Sequence, residues 1–481
     1  MSVLEKYEPQ KALQFFEEIC NIPHGSRNTK AISDYCVKFA QDRNLSVIQD
    51  EYNNIIITKP ATLGYENEVG FIIQGHLDMV CVKEEGSLFD FETDSLQLET
   101  DGEWVWAKET TLGADDGIAV AMTLAILDSK EIAHPQIEAI FTVDEEIGLI
   151  GAEKIDLSMV TGKKMINIDS DEDHLVFTSC AGGTFLEGSL PVVRESKTGI
   201  LMDLELKGLQ GGHSGAEIHQ ERGNSNMLMG RILHSLKQPF ALRSFDGGTA
   251  TNVIPSITRV SILVEEQFIE AITTEFGAIL NLLKKEYEIA EPTMDFLITV
   301  KEEEASMVLD IASQECIITA LLALPNGVHA RSLVIENLVE TSSNLGVANL
   351  TEDAFDVAFN VRSSKGTAMD FAGERISAIL RALGGTANVK GKYPAWEYRV
   401  NSELRDTVVD VYEEIVGEKP EICAIHAGLE CGCFDAKIQD LDCVSIGPNL
   451  KDIHSVNERM ELKSVDKIWK IVLGVLSKKR K

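Results

Sequence analysis

The chain has no apolar run approaching the roughly 18 residues that a membrane-spanning helix requires, and its first residues, Met1 to Lys6, lack the basic start and apolar core of a secretory leader. Positive charge is scarce too. Only 44 lysines and arginines face 77 aspartates and glutamates, a net charge of −33, so the surface repels nucleic-acid backbones and anionic membranes and neither is expected as a partner. Regular cysteine spacing is absent: there are nine cysteines, an odd number, and Cys431-Gly432-Cys433 has one intervening residue where a redox or zinc-ribbon motif has two. Reduced thiols in a cytoplasmic protein are expected. What is present is ordinary globular material, 44% hydrophobic and 25% charged, in a chain whose 481 residues exceed one core and imply two domains or more.

Apolar positions recur at helical spacing over about 9–22 and 28–43, and a helix is expected over about 116–129. Residues 69–74, 137–143 and 164–168 form apolar runs of the kind that sheets covered on both faces produce. Helices alternating with such strands imply an α/β sheet. From about 186 to 390 the strands instead alternate, as in Leu201-Met202-Asp203-Leu204-Glu205-Leu206, which is the pattern of a half-exposed α+β layer. The order strand, helix, two strands, helix occurs over about 199–286 and again over about 294–384, which suggests a duplication. After 391 the α/β character returns. The expected architecture is an α/β domain split into 1–185 and 391–481, with an α+β domain, 186–390, inserted into it.

Five short segments carry chemistry: Gly75-His76-Leu77-Asp78, Gly113-Ala114-Asp115-Asp116-Gly117, Asp144-Glu145-Glu146-Ile147-Gly148, Ile168-Asp169-Ser170 and Asp452-Ile453-His454-Ser455. Each has an ordinary explanation by itself, such as a helix cap at Asp115-Asp116, a solvated turn at Glu145-Glu146 or a capping aspartate at Asp169. Taken together, two histidines and three carboxylates at strand ends and a helix start are the right number and type to hold two divalent metals. Paired metals polarise a carbonyl and acidify a water, so a hydrolase is expected. Asp78, two residues from His76 in extended chain, points to the same side and can back the imidazole. Asp115 has two oxygens with which to bridge cations. Adjacent glutamates on an irregular turn diverge, so one of Glu145 and Glu146 can bind metal while the other faces the substrate as a proton acceptor.

These motifs, with Lys207-Gly208-Leu209-Gln210-Gly211-Gly212-His213-Ser214-Gly215, Ile425-His426-Ala427-Gly428-Leu429-Glu430-Cys431-Gly432 and Val444-Ser445-Ile446-Gly447-Pro448, resemble the dinuclear-zinc aminopeptidase and carboxypeptidase superfamily that includes aminoacylases. Within it they resemble the bacterial Xaa-His dipeptidases, from residue 22 to the carboxyl end. The resemblance implies that 1–185 and 391–481 form the catalytic domain and 186–390 a lid. It implies that Asp115 bridges two metals, that His76 and Asp169 complete one site and Glu146 and His454 the other, and that the Asp115–Asp116 peptide is cis. Asp78 would orient His76, and Glu145 would be the general base. In the lid, His213 would stabilise the oxyanion, Asn252 would contact the ligand and Arg362 would hold the substrate carboxylate, with Gly428 making a backbone contact near the substrate terminus. The implied metal is zinc, with cobalt or manganese as alternatives. The implied substrates are unblocked dipeptides, Xaa-His dipeptides such as carnosine included. An N-acyl amino acid deacylase, a tripeptidase and a non-catalytic metal-binding scaffold are the competing readings. A homodimer through the lid is open, as is whether His213 acts in its own chain or a partner's. Asp452-Ile453-His454-Ser455 departs from the Gly-Pro-His-Ser pattern of the nearest relatives, which leaves side-chain preference open.

Overall fold

The computed structural model describes residues 2–479 and divides into two units. The first comprises the described residues up to Cys180, then Tyr398–Ala424 and the chain from Leu429 onward; the second comprises Ala181–Glu397 with Ile425–Gly428. Sequence pattern placed the boundaries at 185/186 and 390/391. The structure moves them outward because Gly182–Pro191 and Thr386–Tyr393 are strands of the second unit's own sheet. Among the described residues no helix is long and apolar enough to cross a membrane.

The first unit is built on an eight-stranded sheet in the order Ser46–Gln49, Ile55–Lys59, Ile137–Thr142, Phe71–His76, Lys164–Asn167, Asp442–Ser445, Leu175–Cys180, Glu421–Ile425. Its middle four strands are parallel, Phe71–His76 lying between Ile137–Thr142 and Lys164–Asn167. All residues of Phe71–His76 and Ile137–Thr142 are buried, which accounts for their largely apolar character, with Gln74, His76, Glu138 and Thr142 as buried polar exceptions. The helix Ala114–Asp128 is buried along almost its whole length and packs between the helix Gln10–Cys20 and the sheet. An apolar, alanine-rich helix can be covered on all sides, as this one is. A small four-stranded sheet pairs the hairpin Leu450–Lys451 and Arg459–Glu461 with Trp104–Ala107 and Leu98–Thr100, and the loop bearing His454 is the tip of that hairpin.

The second unit's main sheet runs Asp295–Leu309, Arg194–Lys207, Thr258–Val264, Ala241–Gly247, Val339–Leu350, Ala354–Ser363, Gly182–Pro191, Thr386–Tyr393. It consists of two halves, each a strand, helix, two strands, helix and strand. The halves join where Asp246 pairs with Asn349 and Gly247 with Ala348. The repeat is therefore present, but its boundaries differ from those suggested by element order. Asp295–Leu309 closes the first half by pairing along Arg194–Lys207. The second half begins with Gly182–Pro191, which pairs with both Ala354–Ser363 and Thr386–Tyr393, so the first half is inserted after the second half's opening strand.

Candidate metal centre

Parallel strands present their carboxyl ends on one edge of the sheet, and ligands of open α/β sheets bind there. His76 ends one central strand; Glu145 and Glu146 follow the next, Ile137–Thr142; Asp169 follows Lys164–Asn167. Asp115 enters from the start of the helix Ala114–Asp128, where the Asp115–Asp116 peptide is cis. His454 enters from the hairpin tip with φ 60°, a left-handed conformation uncommon outside glycine and also adopted by Asp144 (φ 55°) at the glutamate turn.

One side chain joins the halves of the cluster. Asp115 Oδ1 lies 3.1 Å from His76 Nε2, and Asp115 Oδ2 lies 3.1 Å from His454 Nε2. His76 Nε2 is also 3.7 Å from Asp169 Oδ1, and His454 Nε2 is 3.1 Å from Glu146 Oε1. Three sets of donor atoms fall within 4.8 Å of one another: His76, Asp116 and Asp169; His76, Glu145 and Glu146; Asp115, Glu146 and His454. The first set contains Asp116 where the sequence suggested Asp115. Asp116 is the poorer donor, because its Oδ2 already accepts the His76 backbone N–H at 3.2 Å. Burial, helped by the charge of Asp115 against the opposing pull of His76, holds its carboxyl well above the usual range, as burial also does for Asp169, so the hydrogen bond to His76 N is what sets Asp116 apart.

Electrostatics of the cluster call for added positive charge. Burial should depress the His76 pKa, yet Asp115, Asp78, Asp169 and Glu145 raise it well above its ordinary value. Hydrogen bonds to Asp115 and Glu146, against partial burial, lift His454 to about 10. Burial raises Glu145 to about 8, opposed by His76 and reinforced by Glu430, Glu146 and Asp115. A carboxylate-rich set with two imidazoles and one shared carboxylate fits a pair of divalent cations.

Asp78 is placed differently from expectation. His76 Nδ1 meets the Asp78 backbone carbonyl at 2.9 Å, closer than the carboxylate at 3.6 Å. The carboxylate instead accepts from Glu145 N at 3.0 Å, Glu146 N at 3.4 Å and Ser26 Oγ at 2.8 Å. It therefore grips the turn on which both glutamates sit as well as backing the imidazole. Beneath the strand ends a buried network, which spacing could not reveal, links Asn167 to Gln74 at 2.6 Å, Gln74 to Glu430 at 2.5 Å and Thr142 to Glu430 at 2.7 Å. Burial raises Glu430 to about 7. Ser26 and Thr142 support the site without carrying a sequence signal of their own, whereas Gln74 and Glu430 lie in or beside motifs that the sequence singles out without revealing this contact.

The remaining candidates lie in the second unit and come together there. A Cβ on Gly215 would stand 2.8 Å from the His426 carbonyl oxygen, 3.0 Å from His213 Cε1 and 3.2 Å from Arg362 Cζ, so only glycine fits between them. His213 Nδ1 accepts from Ala216 N at 3.1 Å and Gly215 N at 3.3 Å. With Nδ1 an acceptor, the neutral ring carries its proton on Nε2. Burial and then the Arg362 charge lower the His213 pKa, which favours that neutral donor. Arg362 is only 5% exposed and donates to Tyr393 Oη at 2.9 Å, while its Nε–H is buried without an acceptor. Gly428 packs on the same tyrosine; a Cβ there would be 2.8 Å from Tyr393 Cε2. The Asn252 side chain is exposed, and its carbonyl accepts from Ser214 N at 2.8 Å, which ties its loop to the His213 turn.

A model of peptidase family M20/M25/M40 matches residues 72–478. The chain is 35% identical over 481 residues to the cytosol non-specific dipeptidase of Escherichia coli K12, covering 99% of each. It is 38% identical to the aminoacylhistidine dipeptidase from Vibrio alginolyticus, whose crystal structure superposes with a TM-score of 0.92 and covers 98% of this chain and 97% of that one. A tripeptidase from Staphylococcus aureus, at 17% identity, TM-score 0.54 and 98% coverage of both chains, shares the fold.

Proposed function

The chain belongs to peptidase family M20/M25/M40, a metallopeptidase family, and from that premise we propose that it hydrolyses unblocked dipeptides, Xaa-His dipeptides among them. The observation that carries this reading is Asp115, whose two oxygens each meet a different imidazole at 3.1 Å with Glu145 on the adjoining turn. His76, Asp115 and Asp169 would hold one cation and Asp115, Glu146 and His454 the other, zinc being the metal that this donor set suits. Two such cations polarise a carbonyl and acidify water. Glu145 takes the proton of the attacking water and returns it to the leaving amine. His213 Nε2–H donates to the developing oxyanion, and Arg362 pairs with the free carboxylate of the dipeptide. The cytoplasm is the proposed location, in keeping with the name of the Escherichia coli relative.

A panel of dipeptides, tripeptides and N-acetyl amino acids, assayed with measured metal content, tests the reading. Fastest turnover of free dipeptides is the expected result. Preference for N-acetyl amino acids or tripeptides would replace it with one of the competing activities, and no metal-dependent turnover at all would leave a binding scaffold.

Two kinetic outcomes follow from the second unit. Arg362→Ala should raise KM for dipeptides and reduce the preference over their carboxyl amides, with Arg362→Lys a partial rescue because a point charge cannot make two parallel hydrogen bonds. Equal losses on a dipeptide and its amide would reassign Arg362 to a structural role. His213→Ala should lower kcat by about 10²–10³, since an oxyanion contact is strongest in the transition state. A change confined to KM would remove His213 from that role.

A further inference from the structure

The His454 loop and the helix that carries Asp115 are fastened by a single carboxylate. Glu458, four residues after His454, is 2% exposed. Its Oε2 accepts from Leu112 N at 2.8 Å and Gly113 N at 3.1 Å, and its Oε1 accepts from Ala114 N at 2.9 Å. These are the three consecutive N–H groups immediately before Asp115. Successive backbone N–H groups form a concave anion cradle, and these three lie on the non-helical approach to the helix, where Asp115 and Asp116 also depart from helical backbone angles. Both oxygens of Glu458 are engaged, so the carboxylate can neither rotate nor slide without breaking a bond.

The two sides of this contact are held very differently elsewhere. The helix Ala114–Asp128 is fixed by packing along its length. The loop closes on a short hairpin, Leu450 opposite Met460 and Lys451 opposite Arg459, whose second strand also pairs with Trp104–Ala107, while residues 452–458 lie outside the sheet. Inside the loop, Ser455 Oγ donates to the Asp452 carbonyl at 2.6 Å and Glu458 N donates to the Ser455 carbonyl at 3.1 Å, so the turn between His454 and Glu458 is tied internally. His454 is itself exposed, and its side-chain contacts are those to Asp115 and Glu146, the two groups from which its distance must be set.

We propose that Glu458 is a positioning residue that sets the distance of His454 from Asp115 and so selectively governs affinity at the Asp115, Glu146 and His454 cation position. The proposal rests on the two-cation reading above. His76 ends one strand of the central sheet and Asp169 follows another, and neither touches the loop's Glu458, so the other position keeps its geometry when Glu458 is changed. Glutamine retains one carbonyl acceptor but turns an NH₂ toward N–H groups that need an acceptor. Aspartate keeps the charge and falls one methylene short.

Calorimetric titration of chelator-stripped protein with Zn²⁺ tests this. Wild type should show two binding events. In Glu458→Gln one event should weaken by about 10–100-fold, the range typical of losing a partner that orients a ligand, while the other stays unchanged. Glu458→Asp should lie between, and it carries the same comparison if the glutamine variant does not fold. A wild type that binds fewer than two cations would defeat the two-cation reading rather than this proposal. A wild type that binds two, with variants in which both events weaken equally or neither does, overturns the positioning role.

Discussion

Asp115→Ala is expected to release both cations and abolish nearly all dipeptide turnover, the largest single effect in the molecule. Each Asp115 oxygen meets a different imidazole, and no other described side chain does so. Cations in a paired site stand about 3.5–4 Å apart. Unit charges at about 4 Å interact with roughly 4 kcal/mol near a protein surface, and two divalent ions repel four times as strongly, so a shared anion is indispensable. Asp78→Ala should be milder, lowering metal affinity about 10–100-fold, as for other partners that orient a ligand. Because its carboxylate also accepts from Glu145 N and Glu146 N, turnover should fall further than metal loss alone explains. Elemental analysis alongside kinetics separates the two; retention of a full cation by Asp115→Ala would refute the bridge.

Glu145→Gln should lower turnover by about 10²–10⁴ while leaving both cations bound under the proposed assignment, in which Glu145 is the general base, a role that contributes in that range, and is not a ligand. Geometry distinguishes it from its neighbour: both glutamates group with His76, but only Glu146, whose Oε1 lies 3.1 Å from His454 Nε2, also groups with Asp115 and His454. Burial pushes Glu145 to about 8 in the protein alone, and two adjacent positive ions would draw it down to where it is ionised at neutral pH. If the variant loses a cation and Glu146→Gln does not, the two glutamates have exchanged roles. Near-normal turnover with both metals present would mean that another group accepts the proton.

Parallel strands buried on both faces are largely apolar, so Phe71–His76, Ile137–Thr142 and Lys164–Asn167 announce themselves as runs, and the polar residues at or just past their ends lie on the edge where open α/β sheets bind ligands. That local rule is why His76, Glu145, Glu146 and Asp169 are legible in the amino-acid sequence alone. The switch to alternating strands likewise marks the inserted unit, because exposure of one sheet face is written residue by residue. Pairing between distant segments obeys no such local rule. Gly182–Pro191 joins the second half of its sheet across an inserted half, so element order alone misdraws the repeat and places the boundaries too far inside. Nor does chain position say where side chains in irregular turns point. The tertiary structure alone turned the Asp78 carboxylate toward the glutamate turn, set the His213 proton on Nε2 and brought Glu458 under residues 112–114. Each of those outcomes depends on backbone N–H groups that became available only once the sheet and helix had set their neighbours, and sequence spacing carries no record of them.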